Sequence, residues 1–300
     1  MGIVIVGAGS VGLLLASYLA ESGLTVTLLV RREEQANLIN NQGVCRINED
    51  GSESIYHVNA TIETDVISTA QLLIVAVKYV HIPEVLEKLI AEEIKTPLLF
   101  VQNGIGHLEI VKATDFPHIA FATVEHGALR RDDRTVNHNG VGMLIIGEGV
   151  GDAHKFDVME VANSKRFPVN RHIDAEHILM RKVIINCMIN PLTTVLGVKN
   201  GELLTNPYCY DLFRRLHEEL VAAFPKVEAS LPLERVEEVC RKTANNQSSM
   251  LTDHLAGRPM EIETIVTAVI KKAHAVNKSI PLLETFEKLL YALENKGVEE

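Results

Sequence analysis

The hydrophobic pattern changes its period once along the chain, and the change sorts the sequence into two parts. In the first part, short runs that are apolar nearly throughout alternate with stretches of helical spacing. Residues 3–6, 25–30, 72–77 (Leu-Leu-Ile-Val-Ala-Val) and 98–101 have strand length and almost no polar face. Parallel strands covered on both sides have this composition. Between them, residues 11–20, 33–40 and 83–94 carry helical patterns, and further strands are predicted at 119–124, 135–138 and 142–146. Repeated strand–helix units predict a doubly wound sheet, with ligands gathering at the carboxyl ends of its strands.

Near residues 168–174 the character changes. Beyond that point strand signals nearly vanish, and helical periodicity runs through 176–190, 209–224, 233–246, 261–277 and 282–295. The expected fold class is α/β, a Rossmann-type doubly wound sheet over residues 1–171 followed by an all-helical domain over 172–300. A cleft for substrate is expected between two such domains.

The first strand runs directly into Gly7-Ala8-Gly9-Ser10-Val11-Gly12, a G-x-G-x-x-G loop that opens a helix. Gly7 allows the tight turn, Gly9 lets the backbone approach a pyrophosphate, and Gly12 lets the helix pack on the sheet. A second strand follows at the distance a βαβ unit requires, which favours dinucleotide binding over a plain buried turn. That strand ends in Arg31-Arg32-Glu33-Glu34, without the acidic residue that usually receives the ribose hydroxyls of NAD. Arginine suits a 2′-phosphate, so NADP(H) is expected, with Arg31 the better placed of the two. Two solvated arginines after a strand are the plainer alternative. Glu33 and Glu34 fall too late and suit the start of the next helix.

Composition narrows the setting. The 300 residues are 47% hydrophobic and carry a formal net charge of −10 with no basic block, so no nucleic-acid partner is expected. Cys45, Cys187, Cys209 and Cys240 are widely spaced, with no C-x-x-C pair, as in a reduced cytoplasmic protein. Residues 1–20 carry no charged side chain, yet they lack a basic start and are interrupted by the glycines. A buried first βα unit explains them better than a signal peptide or a membrane span. No membrane partner and no metal are expected. The helical part offers apolar faces for a homodimer, and the same faces could close on the protein's own core.

Candidate chemistry lies on the first helix after the change. Lys182, Asn186 and Asn190 fall at i, i+4 and i+8 and share one face, while every residue between them is apolar or cysteine. Three polar groups in line on an otherwise buried helix suggest a polar cleft or ligand, because buried polar groups are costly unless paired. A helix–helix interface satisfied by local hydrogen bonds is the alternative. Lysine can stabilise charge developing on a carbonyl oxygen and then deliver its proton, and partial burial would lower its pKa towards that role.

With these residues in place, the chain resembles the ketopantoate reductase (2-dehydropantoate 2-reductase) family over essentially its full length. The resemblance rests on Gly7-x-Gly9-x-x-Gly12, Arg31, Val77-Lys78, Gln102-Asn103-Gly104 and Lys182…Asn186…Asn190-Pro191-Leu192-Thr193. Asn200-Gly201-Glu202-Leu203 and Ser248-Ser249-Met250-Leu251-x-Asp253…Glu261-Ile262-Glu263 complete it. It implies that Lys182 is the proton donor and that Asn186, Asn190, Asn200 and Ser249 contact substrate. It also implies that Glu261 supports catalysis near cofactor and substrate, that Asn103 lies at the nicotinamide–substrate junction, and that Lys78 lies near the cofactor. Ala128 matches a backbone contact to cofactor, with spacing that differs by one residue. Lys78 and Asn103 both follow buried strands, where cofactor ligands are expected, although a solvated lysine and a structural Asn-Gly turn read equally from the residues alone. Pro259 places Glu261 in the first turn of a helix.

The implied activity is NADPH-dependent reduction of ketopantoate to pantoate, on the route to pantothenate and coenzyme A. The chain departs from the family in reading Leu179-Met180-Arg181 before the lysine, where an aromatic is frequent. Reductases of other 2-oxo acids on the same scaffold, and β-hydroxyacid dehydrogenases, are the neighbouring alternatives. The latter usually carry a glycine-rich run before the lysine, which this chain lacks. A non-catalytic NADP sensor would have no reason to keep both Lys182 and Glu261.

Overall fold

The computed structural model describes residues 2–295. Its strands are β1 (Ile3–Val6), β2 (Val26–Leu29), β3 (Val44–Ile47), β4 (Glu53–Tyr56), β5 (Asn59–Thr61), β6 (Leu72–Val75), β7 (Leu98–Phe100), β8 (Ile119–Val124), β9 (Gly127–Arg130), β10 (Thr135–Gly140), β11 (Leu144–Val150) and β12 (Val169–His172). The helices of the first part are α1 (Ser10–Glu21), α2 (Glu33–Gln42), α3 (Ile82–Ala91) and α4 (Gly106–Lys112). Those that follow are α5 (Ala175–Leu196), α6 (Glu202–Thr205), α7 (Pro207–Ala223), α8 (Pro225–Glu228), α9 (Leu233–Lys242), α10 (Ser249–Leu255), α11 (Ala268–Ala275) and α12 (Pro281–Asn295).

Eight strands form one sheet in the order β12-β11-β8-β7-β6-β1-β2-β5. From β5 to β8 every neighbouring pair is parallel. The chain leaves β1 for β2 on one side and later returns to β6 on the other, so the order reverses at β1. Ligands of such sheets bind at that reversal, outside the carboxyl ends of the strands.

A second sheet, β4-β3-β10-β9, adds to the expected architecture. Helix α1 packs against β2 of the large sheet and against β3, β9 and β10 of the small one. Being covered on both sides explains why residues 12–19 are all buried and why the segment carries no charge. The small sheet left little mark on the sequence. Strand β4 alternates exposed and half-buried residues, and β9 is mostly exposed, so neither has a continuous apolar run. Beneath α1 the Arg46 guanidinium is fully buried. It donates to Asn48 Oδ1 (2.9 Å), Ser17 Oγ (3.4 Å), Glu21 Oε2 (2.9 Å) and Tyr56 Oη (2.6 Å). The same group lies 3.7 Å from the centre of the Tyr18 ring and 4.7 Å from that of Tyr56.

The chain divides into two compact units. One comprises the residues up to Asn103 with His107–Ile178, and the other comprises Gly104–Gly106 with Leu179 onward. Residue 171, the boundary expected from the pattern, falls within β12.

Two helices of the second unit differ from expectation. The sequence ends the first of them at Asn190, before Pro191, yet α5 continues to Leu196. An internal proline removes a backbone hydrogen bond. Here Leu192, Thr193 and Thr194 are buried, and the Thr193 hydroxyl donates to Ile189 O at 2.8 Å, so packing outweighs the local signal. By length and hydropathy α5 could cross a membrane, but 72% of its most apolar window is buried inside the protein, as in a core helix. The expected helix 261–277 instead begins at Ile262 and contains a π-turn, Glu263–Thr267, before α11.

Candidate active site

In the first unit the expected cofactor residues converge on the carboxyl edge of the parallel strands. Gly7 leaves β1 with φ +103°, a conformation that L side chains rarely adopt. Gly12 lies so close beneath it that an added Cβ would stand 1.9 Å from Gly7 O. By contrast, a Cβ at Gly9 would meet nothing within 4 Å, so the loop is open on that side. Gly9 is also the N-cap of α1, without a side-chain cap. An open loop at a helix N-terminus is the cradle that a pyrophosphate requires. The residues therefore fit a dinucleotide.

Neighbouring segments are tied to this loop. The Ser10 hydroxyl accepts the Arg130 N–H at 3.0 Å, which holds β9, and with it half-buried Ala128, against the start of α1. Ala8 is buried, and its carbonyl accepts from Gln35 Nε2 at 3.5 Å. Gly7 abuts Val77, the residue before exposed Lys78 at the end of the β6 segment. Gln102 is buried and donates to Val75 O (2.7 Å) and Val77 O (3.1 Å), joining the ends of β6 and β7 just before half-buried Asn103.

The two arginines after β2 are told apart by their partners. Arg32 donates to Asp133 Oδ2 at 2.5 Å, and that hydrogen bond raises the arginine's pKa and lowers the carboxyl's. Arg31 is exposed, with Nη1 at 3.4 Å from His81 Nε2. Glu33 and Glu34 occupy the first turn of α2, as expected for residues that meet a helix dipole.

In the second unit α5 carries Lys182 and Asn186, both half-buried, and buried Asn190 on one face. The Asn190 amide nitrogen is buried with no hydrogen-bond partner among the described residues. Asn200 is buried too. Its Nδ2 donates to Thr243 Oγ1 at 2.9 Å, while its Oδ1 has no partner among the described residues. Backbone bonds from Asn200 N to Asn246 O and from Gly201 N to Ala244 O (both 3.1 Å) pin this loop to the segment after α9. That segment was expected to be helical. Its early exit from the helix frees Thr243 to orient Asn200, a role the sequence did not signal.

Ser249 is exposed at the first position of α10. The N-cap is its neighbour Ser248, which is buried, accepts from Leu251 N (3.2 Å) and has its Oγ 2.7 Å from the Thr193 hydroxyl oxygen. Glu261 is half-buried and stands just outside the helix that begins at Ile262. Among the described residues, no hydrogen bond joins Ser249 to the α5 face. All four cysteines are free and buried, and burial raises their pKa values, that of Cys240 to about 12.

The first unit thus carries a dinucleotide cradle at the sheet reversal, and the second carries a lysine and two amides on one face of α5. Family models described as ketopantoate reductase PanE/ApbA and ketopantoate reductase PanE/ApbA C terminal match residues 3–151 and 174–294. The chain belongs to the ketopantoate reductase family. It is 37% identical to the 2-dehydropantoate 2-reductase of Listeria innocua, over 97% of this chain and 96% of that one. The crystal structure of a probable 2-dehydropantoate 2-reductase from Bacillus subtilis superposes with a TM-score of 0.86 at 35% identity, covering 98% of this chain and 100% of that one. A D-mandelate dehydrogenase solved with NADH and anilino(oxo)acetate shares the fold, with a TM-score of 0.83 at 22% identity over 100% of both chains.

Proposed function

We propose that the protein reduces 2-dehydropantoate (ketopantoate) to pantoate, with NADPH as reductant, in a cytosolic setting where its buried thiols stay reduced. The observation that carries this reading is the α5 face, where Lys182 and Asn186 stand in line with a buried Asn190 amide nitrogen that has no partner among the described residues. Buried amides left open are costly, and a polar substrate would repay them.

When bound, a reduced nicotinamide would supply the hydride for the keto carbon. The loop Gly7–Gly12 would hold the pyrophosphate, Arg31 the 2′-phosphate, and Lys78, Asn103 and Ala128 would line the remainder. Arg31 suits the phosphate because Arg32 is already engaged by Asp133. Lys182 would stabilise the negative charge that develops on the keto oxygen and then protonate it, which yields the alcohol. Asn103, Asn186, Asn190, Asn200 and Ser249 would orient the acid. Glu261 would accept a hydrogen bond from the substrate hydroxyl or from Lys182.

The test is NADPH oxidation with ketopantoate beside 2-oxoisovalerate, and NADP reduction with a 3-hydroxy acid. Ketopantoate should turn over most efficiently; preference for another acid overturns the substrate assignment. Lys182→Ala should lower kcat at least ~100-fold, the low end for a lost general acid. A smaller loss removes Lys182 from its role.

A further inference from the structure

The segment after Glu261 departs from regular helix at one place. Residues Glu263–Thr267 form a π-turn, closed by Ala268 N–H donating to Glu263 O. Such turns hold one residue more than an α-turn and occur mostly where a function maintains them. Two of its carbonyls are claimed from elsewhere in the second unit. Thr264 O accepts Ile105 N–H at 3.0 Å, and Ile265 O accepts the Cys187 thiol at 3.3 Å. The approach at Thr264 is so close that a Cβ on Gly104, whose φ is +76°, would stand 2.1 Å from that carbonyl. On the upstream side, Ile265 N–H donates to Glu261 O at 3.2 Å, so the turn also holds the backbone of Glu261.

Cys187 stands on α5 next to Asn186 and five positions after Lys182. Its side chain is fully buried, and burial drives the thiol pKa far up, so it remains a hydrogen-bond donor rather than a thiolate. We propose that the Cys187 thiol pins the π-turn Glu263–Thr267 to α5 and thereby sets the place of Glu261 relative to Lys182. Cys187 is then a positioning residue for proton delivery. This rests on the assignment of Lys182 and Glu261 to the reduction of ketopantoate.

The test compares Cys187→Ala, Cys187→Ser and Lys182→Ala in the full chain, with ketopantoate and NADPH. Cys187→Ala should lower kcat about 10-fold, the scale of one hydrogen bond, with KM for NADPH unchanged. It should also move a limb of the kcat–pH profile by about half a unit, since the environment of the proton-transfer groups changes. Cys187→Ser keeps a donor and should recover most of both effects. A wild-type profile in Cys187→Ala overturns the proposal, as does equal loss in both variants without a pH shift, which marks packing alone. If Lys182→Ala stays active, the functional assignment fails instead. Deletion of exposed Glu263 gives a second handle, because straightening the turn rotates Glu261 by roughly 100° about the helix axis. A folded deletion variant should lose kcat as severely as Glu261→Gln, and full activity in it overturns the proposal.

Discussion

The protein buries polar side chains in two contrasting ways. Around Arg46, under α1, each guanidinium nitrogen has a partner and the group lies against two tyrosine rings. In the helical unit the Asn190 nitrogen, the Thr194 hydroxyl and the Asn200 oxygen are buried without partners among the described residues. The first arrangement recovers the cost of burial within the fold, and the second leaves it standing. Saturation therefore marks a group that builds the structure, and deficit marks one that waits for something polar.

The sharpest way to break this comparison is to remove the saturated centre. Arg46→Met should cost about 4 kcal/mol, since several hydrogen bonds to a charged group and a buried ring contact are lost together. Urea unfolding measures it, and kcat per folded molecule should not change. A loss of activity without a loss of stability would undo the structural assignment.

His107 sharpens the comparison from the other side. Neither of its ring nitrogens has a partner among the described residues, but the ring lies beside Phe100 and Phe121, so its deficit lies in apolar surroundings and not in a site. Burial pushes its pKa down from 6.5 to about 4. The unfolded chain takes up the proton first as pH falls, so stability is full above about pH 6.5 and is lost between there and pH 4. That loss amounts to about 3 kcal/mol, and it should be absent in His107→Leu when unfolding free energies are compared at pH 7 and pH 4.5.

Asn190→Leu tests the deficit itself. It replaces an amide whose nitrogen lacks a partner among the described residues by an apolar side chain of the same branching, so stability should hold or rise by about 1 kcal/mol while kcat/KM falls about 30-fold. Parallel thermal melts and steady-state kinetics separate the two effects. The smallest expected change is in cofactor choice. Arg31→Ala should weaken NADPH about 10-fold more than NADH, as for one charge-assisted contact, and equal weakening in titrations would refute the phosphate assignment.

What the sequence made legible follows the range of the forces involved. The glycine loop is written in six consecutive residues because its constraints are local, namely a positive φ at Gly7 and a close approach at Gly12. The parallel strands are legible because burial on both faces removes polar residues. Of the small sheet, β10 was legible at 135–138, whereas β4 and β9 were missed because they are largely exposed and have no apolar run. Helix α5 outran its predicted end because long-range packing around Leu192 and Thr193 overrode Pro191. The α5 stripe was visible as a spacing, but Thr243 behind Asn200 and Cys187 behind the π-turn act across many residues of sequence, with no local signature.

Gly104–Gly106 carries a consequence for modularity. These three residues come from the middle of the first half of the chain yet belong to the helical unit, where Ile105 satisfies the Thr264 carbonyl. A fragment cut after Ile178 would therefore lack an internal part of its own fold and leave that carbonyl orphaned at the turn next to Glu261. The two halves are not interchangeable cassettes. Grafting this helical unit onto another dinucleotide-binding sheet would have to bring the tripeptide along with it.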